Sequence, residues 1–205
     1  MREQILMTLT GLVFALGHLA FGASAKAQES IAVDLKKSEF NWRADKKITS
    51  GHHGKIFLKS GQVQKVDGKI ASAEFVMDMN SFTVTDLRGR RARQFMDHVK
   101  SGDFFLVEQF PTARLVLESI TMPSQGSEPS SGVASGQLTI KDQTHPISVN
   151  FSEEKGLYRG TLTFDRTQYG ITYNSENFVM VAADRIIRDE VHLDFKVALK
   201  DSKEN

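Results

Sequence analysis

The chain has 205 residues, 40% of them hydrophobic and 25% charged, an ordinary globular composition long enough for one domain with a sizeable core. Its 26 Lys and Arg against 25 Asp and Glu offer no polycationic surface that could release many counterions, which argues against a general nucleic-acid partner. The absence of cysteine excludes disulfides, thiolate metal sites, cysteine nucleophiles and a lipid-modified cysteine.

The chain opens with the short polar stretch Met1 to Gln4, runs almost uninterruptedly apolar from Ile5 to Phe21, and then places small residues at cleavage spacing in Ala23-Ser-Ala-Lys-Ala27. That is the pattern of a secretory signal peptide. An uncleaved membrane anchor is the competing reading, since the run approaches the roughly 18 residues of a spanning helix, but Gly11, Gly17, His18 and Gly22 interrupt it. Cleavage after Ala25 or after Ala27 fits, and we take the second, giving a leader over 1–27 and one domain over 28–205. Export then removes Arg2, Lys26 and Glu3, leaving 24 basic and 24 acidic residues, a neutral mature protein.

Beyond Ser30 the dominant signal is period-two alternation, the mark of strands with one buried face. Strands are expected near Phe40–Trp42 and Lys55–Gln62, and Asp67-Gly68 reads as a tight hairpin into the clearest run, where Ala71, Ala73, Phe75, Met77 and Met79 oppose Ser72, Glu74, Asp78 and Asn80. Alternation then breaks. From Thr85 to Val99, Leu87, Arg91, Phe95, Met96 and Val99 fall near helical spacing behind the candidate caps Thr85 and Asp86, so a helix is expected there, followed by a short helical turn over Gly102–Gln109 that Phe110-Pro111 ends. Strands resume with Ala113, Leu115 and Leu117 on one face, a polar loop spans Ser124–Gly132, and further strands are expected at Gly136–Lys141, at Ile147, Val149 and Phe151, at Tyr158–Phe164, and at Val191, Leu193, Phe195, Val197 and Leu199. About eight antiparallel strands with one helical insertion predict a mainly β fold: a closed, lipocalin-like barrel capped at one end, because closure removes exposed strand edges. A barrel of roughly that strand number can enclose one slender ligand.

Several residues invite chemistry. His52 and His53 lie between Gly51 and Gly54, but neighbours on a strand point to opposite faces and cannot readily chelate one ion, so no metal site is expected and a hydrogen-bonding role at a mouth fits them better. Asp97-His98 and the His192/Asp194 pair resemble acid/base partners, yet no G-x-S-x-G elbow accompanies them; no catalytic residue is assigned and no enzyme is expected. Asp165, Arg166 and Tyr169 read as a structural ion pair and a turn. Arg88, Arg90, Arg91 and Arg93 form the one dense basic cluster, which is either the solvated face of the helix or a contact for anionic phospholipid head groups.

One set of motifs extends along nearly the whole domain. Ser38-Glu-Phe-Asn-Trp42, Lys47-Ile-Thr-Ser-Gly-His-His-Gly54, Met79-Asn-Ser-Phe-Thr-Val-Thr-Asp86, His98-Val-Lys-Ser-Gly-Asp-Phe-Phe105 with Glu108-Gln-Phe-Pro-Thr-Ala113, Gly136-Gln-Leu-Thr-Ile-Lys141 with Thr144-His-Pro-Ile147, and Asp165-Arg-Thr-Gln-Tyr-Gly-Ile171 occur in order. In these the chain resembles the polyisoprenoid-binding YceI-like family of exported bacterial proteins. The resemblance implies a lipocalin-like barrel in the periplasm that binds and sequesters or transports an isoprenoid quinone or similar lipid, with no cofactor required. Phe95 and Met96 stand where many relatives have Arg-Asp, so the region near the implied mouth is more apolar than usual, and Asp142-Gln143 split another motif. On this reading the lining set is Trp42, Phe57, Phe75, Met77, Met79, Phe82, Phe95, Phe104, Leu115, Leu117, Leu138, Ile140, Phe164 and Ile171, with methionine sulfur supplying adaptable surface. The expected partners are a lipid-like small molecule and, through the arginines, an anionic membrane; a homodimer stays open. The alternative is a fully packed barrel acting through its surface as an interaction or accessory protein, and a hollow apolar interior against a filled one separates the two.

Overall fold

A computed structural model describes residues 27–122, 130–178 and 180–200. The expected leader, apart from Ala27, lies outside the described residues, as does the greater part of the expected loop at Ser124–Gly132; Ser130 to Gly132 already belong to a strand. Nine strands form in the order β1 (Gln28–Ala32), β2 (Glu39–Lys46), β3 (His52–Val66), β4 (Lys69–Val84), β5 (Thr112–Thr121), β6 (Ser130–Ile140), β7 (Gln143–Glu154), β8 (Leu157–Asp165) and β9 (Ile187–Ala198), with one helix, α1 (Gly89–Lys100), between β4 and β5.

All pairings are antiparallel, and β2 against β9 closes the sheet, Phe40 facing Phe195. The result is an eight-stranded barrel whose first stave is split. β1 pairs with the end of β3 over Gln62–Val66, β2 with its beginning over His52–Ile56, and the link between them is fastened by the Val33 N–H donating to the Gly61 carbonyl at 2.9 Å and the Lys200 N–H to the Ala32 carbonyl at 2.9 Å. The extra strand β1 escapes sequence reading because Gln-Glu-Ser-Ile-Ala offers Ile31 as its sole bulky apolar residue. Asp67 and Gly68, at φ 52° and 77°, form the expected tight hairpin between β3 and β4; a two-residue turn of this hand matches the strand twist.

Antiparallel order sorts the connections into two ends. The upper end gathers the β2–β3 turn, α1, the β6–β7 hairpin and the segment from Arg166 to Ile186; the lower end gathers the β3–β4 and β7–β8 hairpins and the split in the first stave. Alternating residues of every stave point inward, as in Ala73, Phe75, Met77 and Met79 of β4. In β5 a bulge between Leu117 and Ser119 turns Ile120 inward instead of Ser119.

Two helical expectations change. The helix begins at Gly89, not Thr85, because the Thr85 N–H still bonds the His53 carbonyl at 2.9 Å and prolongs the β3–β4 ladder, while the Asp86 carboxylate is committed to the two histidines. Arg88 is the N-cap, in extended conformation and without a side-chain cap bond. Residues 102–109 form turns folded back on α1 and not a helical turn: the Leu106 and Val107 N–H groups donate to the Ser101 and Lys100 carbonyls at 2.8 and 2.9 Å, and Leu106 adopts a φ of 46°.

Candidate functional site: a two-chambered apolar interior

The barrel interior is hollow. An upper chamber of about 150 Å³ lies beneath α1, and a lower one of about 80 Å³ lies toward the hairpins, with Met77, Leu115, Leu162 and Leu193 lining both and forming a waist between them. Since a cavity of roughly 150 Å³ accommodates one benzene-sized ligand, the two together hold on the order of 8 to 10 carbon-sized groups.

Aromatic contacts shape the upper chamber. Trp42, on β2, donates its indole N–H to the Thr83 carbonyl at 3.0 Å, reaching over Gly54 of β3. A side chain at Gly54 would put its Cβ 1.8 Å from the Thr83 oxygen and 2.9 Å from Trp42 Cζ2, so this crossing requires glycine. The helix is seated by Phe95, whose ring stacks on Trp42 at 6.2 Å and 12° and meets His52 at 4.5 Å; Phe82 joins Trp42 to Phe105. Beside these, His98, Phe104 and Tyr173 form a second aromatic group with centroids 4.7–5.3 Å apart, tying α1 to the segment that follows β8.

Among the side chains lining the upper chamber the ionisable ones are Lys46, His52, Arg114 and Arg166, and none is acidic. Arg114 is held on the outer face by Glu74 at 2.7 Å. His52 Nδ1 lies 2.7 Å from the Asp86 carboxylate, which also accepts the His53 N–H at 3.1 Å. Burial would raise Asp86, but these hydrogen bonds outweigh it and hold the carboxyl below its ordinary value. His53 is exposed, yet its Nδ1 lies 3.9 Å from the same carboxylate, so both rings approach Asp86; among the described residues no group of three His, Asp or Glu is placed to hold a metal ion.

Arg166 is the buried cation of the upper end, with 2% of its surface exposed. Its guanidinium donates to the Ile171, Ile187 and Arg188 carbonyls at 2.7, 3.0 and 3.1 Å and to Asp189 Oδ1 at 3.2 Å, while Asp189 Oδ2 accepts from Ser175 and Asn177. The ion pair expected around Asp165 is therefore made with Asp189. Asp165 instead caps the 3₁₀ turn Arg166–Tyr169 through the Thr167 N–H at 2.8 Å. Burial draws the Arg166 guanidinium below its ordinary value, opposed by Asp189 and Asp165.

The sequence-predicted residues divide cleanly. Trp42, Met77, Met79, Phe82, Phe95, Phe104, Leu115, Leu138, Ile140, Phe164 and Ile171 line the upper chamber, and Phe75 and Leu117 line the lower one. Phe57 does not join them: it is 49% exposed on the outside of the barrel. Stepping back by twos from buried Val63 would put Phe57 inside, but β3 carries an irregularity between Leu58 and Ser60, and before it the inward parity belongs to Ile56 and Leu58. Missing from the predicted set are Phe105, Leu162, Val191 and Leu193 above and Phe40, Phe151, Tyr158, Phe195 and Val197 below. The alternation of β7 and β9 already placed several of these on one face, so that signal was available.

The imagined acid/base pairs do not form. His98 Nε2 meets Asp103 at 2.8 Å and not Asp97, and His192 and Asp194 bond separately to Thr163 and Thr161.

The YceI-like domain family matches residues 31–199. Among solved structures, BcnA of Burkholderia cenocepacia superposes with a TM-score of 0.62 at 23% identity, covering 80% of this chain and 98% of its own. A polyisoprenoid binding domain from Saccharophagus degradans, implicated in plant cell wall breakdown, superposes at 0.54 with 16% identity, covering 84% and 97%. Both likenesses are of fold. No curated protein sequence matches the chain.

Proposed function

The chain belongs to the YceI-like domain family, and on that premise we propose that it is a carrier of a long apolar ligand, an isoprenoid quinone or comparable lipid, held inside the barrel by burial without bond-making. The observation that supports this reading is the hollow interior: two apolar chambers that share Met77, Leu115, Leu162 and Leu193 as lining, where a barrel acting only through its surface would be filled. The neighbour described as a polyisoprenoid binding domain points the same way. Filling the chambers would bury roughly 8 to 10 groups, about two isoprene units. At ~0.8 kcal/mol per methylene this is roughly 6–8 kcal/mol before ordering and association losses, so tight binding also draws on the part of a longer chain outside the chambers. A longer chain extends past the rim, where Lys46 offers a donor to its polar head. The apolar segment before Ala27 fits export to the periplasm with this cargo.

Trp42 is the sole tryptophan and lines the upper chamber, so it is a built-in reporter. Titration with a short-chain quinone is expected to quench its fluorescence saturably at one equivalent, and an alkyl chain lacking the quinone is expected to compete. Unsaturable quenching, equal to that of free indole, would refute the reading.

A further inference from the structure

We infer that the upper rim of the barrel is a docking surface for an anionic lipid bilayer, combining the arginines at the start of α1 with exposed apolar side chains on the adjacent loops. The inference rests on the carrier reading, since a cargo of lipid chains has a bilayer as its source or destination. Met180, Ile48 and Phe178, the three most exposed large apolar residues among those described, at 104%, 67% and 59%, all lie here. Their segments belong to one rim: the Lys47 N–H donates to the Ile186 carbonyl at 3.0 Å, Lys47 pairs with Glu176, and Tyr173 packs on His98 of α1. Water disfavours such a group of side chains, whereas the interfacial zone of a membrane accepts it.

Charge selects the kind of membrane. Arg88, Arg90, Arg91 and Arg93 are all exposed, and among the described residues no carboxylate lies within ion-pair distance of any of them. Of the acids at this end, Asp86 is engaged with His52, Asp103 with His98 and Glu176 with Lys47, while Asp97 on α1, Asp142 on the β6–β7 hairpin and Asp184 beyond β8 are exposed; Asp97 alone shares the helix with the four arginines. The first turn of α1 contains no acidic residue and its N-cap makes no side-chain bond, so the positive end of the helix dipole adds to the arginines instead of being offset. Uncompensated cations at the same end as exposed apolar side chains match phosphate head groups over acyl chains.

The test uses the full mature chain and co-sedimentation with vesicles of phosphatidylcholine alone or mixed equally with phosphatidylglycerol. Binding is expected to the anionic vesicles, to weaken with added salt, and to fall about fivefold for each arginine neutralised, hence about a hundredfold in the combined Arg90→Gln, Arg91→Gln, Arg93→Gln variant. Phe178→Ser with Met180→Ser is expected to weaken it roughly tenfold. Equal binding to both vesicle types, binding to neither, or unchanged binding in both variants overturns the inference. Native mass spectrometry of the same samples separates the two readings: retained cargo without vesicle binding rejects docking alone, and vesicle binding by a chain that never holds lipid rejects the carrier alone.

Discussion

Replacing Leu115 and Leu193 together by phenylalanine narrows the waist from both β5 and β9 while leaving Trp42 and the rest of the upper chamber lining in place. Both side chains border each chamber, so the added ring atoms project into space that a ligand must cross to reach Phe75, Phe151 and Tyr158 below. The lower chamber of about 80 Å³ accounts for roughly three carbon-sized groups, about 2–3 kcal/mol of gross burial. Affinity measured against a series of alkyl-chain competitors, by displacement of a quinone that quenches Trp42, is therefore expected to rise with chain length in both proteins. In the variant it should level off about three carbons earlier, with short-chain affinity unchanged. Overpacking at the waist is expected to reduce stability by at most about 1–3 kcal/mol, which urea unfolding reads separately. An identical chain-length profile in the two proteins would refute the two-chamber account.

Arg166→Met removes a buried cation with four acceptors and strands Asp189; a loss of about 3–5 kcal/mol is expected, or about 6–20 °C in Tm for a chain of this size, and a loss under about 1 kcal/mol would contradict the role assigned to it. Gly54→Ala drives a methyl into the Thr83 carbonyl and the Trp42 ring, so it is expected to destabilise by about 1–3 kcal/mol and to shift the Trp42 emission, whereas an unchanged spectrum would argue against that crossing. Burial, helped by Asp165, pushes the Tyr169 phenol up from 10.0 to about 12. The unfolded chain then releases this proton before the folded one does, so stability falls as pH rises from 10 toward 12. Phenolate absorbance should show that late step, and Tyr169→Phe should remove it; titration of every tyrosine near 10 would refute it.

Most of the architecture was legible because a half-buried strand writes its face into the sequence at every second residue. Ala73 to Met79 of β4 and Val191 to Val197 of β9 gave their inward sides directly. The failures occur where something other than periodicity decides. Phe57 is outside because an irregularity in β3 reverses parity between Leu58 and Ser60, and such a shift leaves no mark in the pattern of apolar residues. The helix starts late because Asp86 serves the His52 and His53 pair, a long-range use of a residue that local rules assign to a cap. Arg166 looked like half of a local ion pair, yet its partner Asp189 lies 23 positions on, beyond what spacing can show. The chambers themselves are a property of how the staves fit, so alternation named most of their walls without revealing whether the space between them is filled.

The most direct test of the carrier account is native mass spectrometry of the protein purified from a secreting host, followed by organic extraction and mass analysis of what is released. The account predicts a stoichiometric adduct that survives purification, dissociates on extraction and proves to be a quinone or another lipid with a long apolar chain. A bare polypeptide that also takes up no added quinone would contradict it, and would assign the protein's work to its outer surface.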